Sequence, residues 1–186
     1  GIEVDGLTFK DQVRLVRRAR VRELKKHVVY KLTALLINRS MRPVDAEIQE
    51  VLIGDDSETD AEAYLLYARI LEGSLTTKEL EYALLGEGVH RKEKGPILDL
   101  AARKDKSKVT KIYIHCTTKR NPAGLMTTGP NLVAARDALQ IAMDALHEGW
   151  LQPEYVRRIA RELGTQEVAS SFQDLLAREL VPDSFV

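Results

Sequence analysis

Two stretches of the chain carry residue types that could do catalytic chemistry, but neither has a complete pattern. Gly124 and Gly129 have the glycine spacing of a phosphate-binding loop, yet Pro130 stands where that loop needs the lysine that reaches the phosphates. His115 and Cys116 could form a base and a nucleophile, but adjacent side chains on a strand point to opposite faces. We therefore expect a protein that is not an enzyme.

Metal ligation has no better support in the sequence. His27, His90 and His147 lie far apart and lack the spacing of metal ligands. The adjacent acids Asp55 and Asp56 come before a predicted helix, whose dipole accounts for negative charge at that position. The sequence predicts no metal site and no cofactor.

Composition places the chain among ordinary globular proteins. Its 186 residues are 44% hydrophobic, enough for a substantial core. The single cysteine excludes an internal disulfide, which favours the cytoplasm or another reducing compartment. The longest apolar run has about ten residues, about half of what a bilayer-spanning helix needs, and Gly1 to Asp5 does not resemble a signal peptide. We expect no membrane association.

Charge is strongly segregated along the chain, although 28 basic and 28 acidic residues cancel overall. Residues 1–42 carry a net charge of +7, residues 43–87 carry −10, residues 88–120 carry +7 and the remainder carries −4. One interpretation is that the basic and acidic segments pair with each other. The other is a basic face that binds phosphate or an acidic partner.

The interpretation with a basic face gives a specific set of candidate contacts. They come from the first helix and from the region around residues 103–120. The candidate nucleic-acid-binding residues are Arg14, Arg17, Arg18, Arg22, Lys25, Arg103, Lys104, Lys106, Lys119 and Arg120. The alternative function is a protein assembly or adaptor subunit, in which the same charges meet an acidic protein partner.

A long helix from Thr8 to Asn38 is predicted to position the first of these groups. Thr8 and Asp11 have the spacing of an N-cap and its acidic partner, and no glycine or proline interrupts the pattern before Pro43. Its first half has a basic outer face. Its second half, Val28 to Ile37, is apolar nearly all round, as expected of a central helix surrounded by others.

Shorter elements are predicted to follow, on the basis of apolar periodicity, glycine stops and helix caps. The predicted caps include Ser57 with Asp60 and the capping box of Thr76 with Glu79. The predictions up to residue 128 are a short helix between Pro43 and Gly54, a helix from Ser57 to Glu72, a helix from Thr76 to Leu85, a helix from Pro96 to Lys104, a strand from Lys108 to Thr117, and a return strand from Leu125 to Thr128. The last two would form a β-hairpin with a basic turn.

The last third of the sequence is predicted to be helical. A broad apolar face runs from Leu132 to Leu146 in a helix that opens at Pro130. Further helices start at Pro153 and Thr165, and we interpret this pair as a helical hairpin packed on the core. Acids on the second helix would repel phosphate there.

The order of elements from residue 58 to residue 128 resembles a winged helix, through element order and charge. That resemblance implies that Arg103, Lys104 and Lys106 end the recognition helix, and that Lys119 and Arg120 form the wing tip. The predicted fold is mainly α, of the α+β class, a helical domain around a long central N-terminal helix with one small β-hairpin. Predicted domains are residues 1–57, 58–128 and 129–186, and the predicted function is non-catalytic binding of DNA or RNA.

Overall fold

A computed structural model describes residues 27–56, 59–86, 89, 94–117 and 131–177. These residues contain seven helices and a three-stranded parallel sheet, so the predicted helical majority is confirmed. The helices are α1 (His27–Ser40), α2 (Asp60–Leu71), α3 (Thr77–Gly86), α4 (Lys94–Ala101), α5 (Ala138–His147), α6 (Pro153–Leu163) and α7 (Thr165–Ala177). The strands are β1 (Gln49–Asp55), β2 (Lys108–His115) and β3 (Leu132–Ala135), in the order β1-β2-β3.

Contacts divide the chain into two compact units. Unit 1 takes the described residues up to Glu50 together with those from residue 59 to Thr110. Unit 2 takes the described residues from Val51 to Asp56 and from Lys111 onwards. The boundaries between the units therefore fall inside β1 and β2.

In unit 1, the core is built on one side of α1. This helix packs against α2 and α4, and α3 packs against α4. Leu32 and Leu36 are fully buried, whereas Leu35 and Ile37 are only partly buried. The predicted apolar helix is confirmed for the described residues of α1, but it is shielded on one side, not all round. The predicted start of the helix at Thr8 lies outside the described residues.

The predicted capping box at the start of α3 is confirmed. The Thr76 N–H and hydroxyl donate to Glu79 Oε2 at 2.8 and 2.6 Å, and the Glu79 N–H donates back to Thr76 Oγ1 at 3.3 Å. These hydrogen bonds from Thr76 hold the pKa of Glu79 below its usual range. The box fixes where α3 begins. Ser57, the cap predicted for α2, lies outside the described residues.

The short helix predicted after Pro43 is wrong, because residues 49–55 form β1. Gln49, Val51 and Ile53 are exposed while Glu50 is buried, so exposure alternates as it does on a strand. The spacing of Ile48, Val51 and Leu52 suggested a helix. The segment forms a strand because it pairs with β2, which is distant in sequence. Tertiary contacts here override the local helical pattern.

The helix predicted from Pro130 is wrong over its first residues. Leu132–Ala135 form β3, which pairs in parallel with β2, from Ile112 opposite Leu132 to His115 opposite Ala135. A strand buried in a parallel sheet has a continuous apolar run, which a short sequence cannot distinguish from a buried helix. The helix starts at Ala138, where the Asp137 side chain accepts a hydrogen bond from the Gln140 N–H at 3.0 Å.

β2 has neighbours on both of its edges, β1 on one and β3 on the other. Among the described residues the sheet is parallel, and it contains no hairpin. The predicted return strand from Leu125 to Thr128 lies outside the described residues. From Ile112 to His115 both edges of β2 are occupied, which leaves no edge there for an antiparallel partner. The hairpin of the predicted winged helix is therefore not confirmed.

In unit 2, α5 packs on β3 and against α6 and α7. Leu139, Met143 and Leu175 form a buried cluster, and partly buried Ile159 and Leu163 of α6 pack on it. The predicted helix starts at Pro153 and Thr165 are confirmed. Their arrangement agrees with a helical hairpin packed on the core.

Candidate nucleic-acid interface

Residues 103–108, which join α4 to β2, form the most exposed basic stretch among the described residues of unit 1. We call them the basic segment. Lys104, Lys106 and Lys108 are exposed, whereas the Asp105 side chain and Ser107 are buried. The three exposed lysines therefore alternate with two buried side chains along the segment.

A buried ion pair holds the inner side of the basic segment. Arg39 Nε donates to Asp105 Oδ2 at 2.7 Å, and each of these side chains is only 3% exposed. Burial alone would raise the pKa of Asp105, but the hydrogen bonds from Arg39 and Ser107 hold that pKa below its usual range. Asp105 is therefore ionised at neutral pH, as the pair requires.

Arg103 attaches the same segment to the end of α1. Its two Nη groups donate to the carbonyl oxygens of Ser40 and Arg42, and Arg39 Nη2 donates to the Arg103 carbonyl oxygen. The last carbonyls of a helix have no partners within the helix, and a cation there is also favoured by the helix dipole. Both Nη groups of Arg103 are committed to the fold, so this predicted contact residue holds the segment in place.

The structure locates only part of the predicted site. Lys104 and Lys106 are exposed, and neither forms an ion pair with a described residue. The other predicted contacts lie outside the described residues: Arg14, Arg17, Arg18, Arg22, Lys25, Lys119 and Arg120. Sequence reasoning missed Lys108 and Arg39. The signal for Lys108 was present, because lysines stand at every second position from residue 104 to residue 108.

Acids from residues 43–87, the range with a net charge of −10, neutralise some of the basic residues in unit 1. Lys31 Nζ lies 2.5 Å from Asp60 Oδ1, and Arg42 pairs with Glu50. Glu50 also accepts a hydrogen bond from the Tyr67 hydroxyl at 3.2 Å; burial, together with the Glu50 charge, raises the pKa of Tyr67. Pairing between segments thus explains part of the charge pattern. It does not extend to the three lysines of the basic segment within the described residues.

The catalytic candidates of unit 2 are held by structural contacts. His115 Nε2 lies 3.0 Å from the Arg136 carbonyl oxygen, and Cys116 is buried with its Sγ 3.7 Å from the Ile114 carbonyl oxygen. Nothing in this arrangement joins the two side chains as base and nucleophile. No cluster of three or more His, Cys, Asp or Glu suited to a metal ion occurs among the described residues.

Comparison with protein-family models, with curated proteins and with solved structures finds no match to this chain. The function of this chain is therefore inferred from its own residues. None of the helices in the described part of the chain is both long and apolar enough to cross a membrane.

Proposed function

We propose that the chain is a non-catalytic nucleic-acid-binding module, and that unit 1 contacts the phosphate backbone through Lys104, Lys106 and Lys108. The observation that carries the proposal is the alternating exposure of the basic segment, which exposes three lysines that have no acidic partner among the described residues. Nucleic-acid phosphates are the ligand that such a row of positive charge fits best.

Lysine itself suits a phosphate backbone. Lysine is a flexible point charge, suited to phosphate oxygens more than to the fixed pattern of a base edge. The binding we propose is therefore independent of base sequence. Arg14, Arg17, Arg18, Arg22, Lys25, Lys119 and Arg120, which lie outside the described residues, stay proposed phosphate contacts on the basis of their charge.

A fixed segment strengthens the case for binding. Asp105 pairs with Arg39, and Arg103 bonds to the end of α1, so the backbone that carries the lysines is held by buried contacts. Binding then has to order only the lysine side chains, which lowers its entropic cost. The Arg103 side chain bonds to the fold. We therefore expect that replacing it lowers the stability of unit 1 more than it weakens phosphate binding.

The test is a salt titration of binding to mixed-sequence duplex and single-stranded oligonucleotides. The variant replaces Lys104, Lys106 and Lys108 with Ala. For duplex DNA, log affinity falls with log salt by about 0.9 units per phosphate contact. Loss of all three contacts should weaken binding and flatten that slope by between about two and three units. Stability should stay within about 0.5 kcal/mol, as for ordinary surface changes.

The matched control replaces three exposed arginines of α6, Arg157, Arg158 and Arg161, with Ala, which removes the same charge elsewhere. Its salt slope should stay close to that of the wild type. An equal loss in both variants would show that only net charge matters and would contradict the assignment to the basic segment. Absence of salt-sensitive binding by the wild type would reject the nucleic-acid proposal and favour the assembly alternative.

A further inference from the structure

Unit 1 also contains a cleft of about 830 Å³, which we call the unit 1 cleft. It lies between the turn that joins α2 to α3 and the C-terminal end of α4. This volume falls within the range of clefts that hold small organic molecules. Its apolar lining includes Ile70, Leu75, Leu80 and Leu98, and its polar lining includes Arg39 and Arg103.

Two buried arginine nitrogens in the lining lack hydrogen-bond partners. Arg39 Nη1 and Arg103 Nε each find no acceptor among the described residues. Arg39 is 97% buried, and its other two nitrogens are bonded, to Asp105 and to the Arg103 carbonyl oxygen. An unsatisfied buried donor costs about 1–3 kcal/mol, and more when it is charged. Arg103 Nε lies 3.8 Å from Asp105 Oδ2, beyond hydrogen-bond distance. Each buried unsatisfied donor in a native structure calls for an explanation.

We propose that the unit 1 cleft binds a small organic anion, which places its apolar body against the leucine walls and its phosphate or carboxylate group on Arg39 and Arg103. Guanidinium nitrogens form short, charge-assisted hydrogen bonds with both kinds of oxygen. Asp105 is the acid that contacts both arginines, so two guanidinium groups share one carboxylate. Over the whole lining, Arg39, Arg103 and Lys104 balance Glu72, Asp99 and Asp105.

Other groups in the lining limit which ligands fit. Thr76 and Thr77 bring the N-terminus of α3 to the cleft, an end that favours negative charge, although the Glu79 carboxylate already occupies its capping position. Glu72 and Asp99 also line the cleft and would repel a second anionic group. A ligand with one anionic end and an uncharged body meets both conditions.

This site shares only Lys104 with the proposed contact with nucleic acid. Variants can therefore distinguish the two proposals. Ala102 lines the cleft but is exposed, so Ala102→Phe would fill the cleft without overpacking the core. Replacing Lys106 and Lys108 would disturb only the basic segment.

The experiment measures binding of phenyl phosphate, benzoate and phenol to the whole chain by calorimetry. The three probes share an aromatic body and differ in the charged group. At least one anionic probe should bind tenfold or more tightly than phenol, since hydrogen bonds to charged groups contribute about 1.5–3 kcal/mol and about 1.4 kcal/mol is a factor of ten. The tighter anion identifies whether phosphate or carboxylate is preferred.

Variants then locate the binding. Ala102→Phe should weaken binding of the preferred probe at least about tenfold. Ala169→Phe, the same change at an exposed position of α7, should leave that binding unchanged. Arg39→Lys keeps a cation beside Asp105 but removes the planar fork, so it should reduce the preference for the anion over phenol. Lys106→Ala with Lys108→Ala should not change probe binding.

Two results would overturn the proposal. Equal binding of phenol and both anions would show that the arginines recognise no charge. Full binding by Ala102→Phe, with its fold intact by circular dichroism, would place any bound probe outside the cleft. Either result leaves the salt-titration test of the basic segment unaffected.

Discussion

Asp105→Ala is expected to lower the free energy of unfolding of unit 1 by about 3–5 kcal/mol, the usual cost of removing one partner of a buried ion pair. The change leaves the Arg39 guanidinium, 3% exposed, without the carboxylate that it contacts at 2.7 Å. It also removes the acceptor of the Ser107 N–H. The basic segment would lose its attachment to the core, so we expect weaker nucleic-acid binding as a secondary effect.

Hydrogen exchange of the α1 amides measures this loss within unit 1. The single tryptophan, Trp150, lies in unit 2, so its fluorescence during urea unfolding reports on the other unit. Glu162→Ala is the matched control, because it breaks an exposed pair on α6, with Arg158 Nε 3.1 Å from Glu162 Oε1. Exposed pairs contribute about 0–1 kcal/mol. A similar small effect for Asp105→Ala would contradict a stabilising role for the buried pair.

The same carboxylate makes the stability of unit 1 depend on pH. The pKa of Asp105 is lower in the folded chain than its ordinary value of about 3.9. A depressed carboxyl pKa contributes stability that is fully present above the ordinary value and is lost as pH falls through the folded value. The difference in stability between the wild type and Asp105→Ala should therefore be constant near neutral pH and shrink below about pH 4.

The sequence predicted best where local chemistry decides the structure. Thr76 and Glu79 lie three residues apart, and their capping box starts α3 as the pattern indicates. Pro153 at the start of α6 is equally local, because proline suits the first turn of a helix. The sequence predicts Lys104 and Lys106 as accessible bases, and both are exposed in the connection between α4 and β2.

The features that the sequence missed depend on distant partners. The sequence predicts a helix where β1 lies because Ile48, Val51 and Leu52 have helical spacing. Only pairing with β2 makes the segment a strand. Arg39 lies in the last turn of α1, and the sequence gives it no predicted role. Its partner, Asp105, is 66 residues away, and no local sequence pattern predicts a contact across that separation. The candidate cleft was missed for the same reason, since its walls come from α1, the α2–α3 turn and α4.

Leu32→Ala tests the core of unit 1. Leu32 is completely buried in α1, where it is among the largest fully buried side chains of the described residues. Its truncation should cost about 2–5 kcal/mol, because the apolar contact is lost and a cavity remains. Leu35 stands one turn further along but is only partly buried, so Leu35→Ala removes the same atoms from a site that water already reaches.

The comparison between these two leucines is sharper than either change alone. Both variants alter helix propensity in the same way, so the difference in α1 amide protection isolates the burial of Leu32. We expect Leu35→Ala to cost clearly less than Leu32→Ala, with Trp150 fluorescence unchanged in both because that residue belongs to unit 2. Equal costs would mean that Leu35 faces a buried surface as well, and no cost for Leu32 would remove α1 from the core of unit 1.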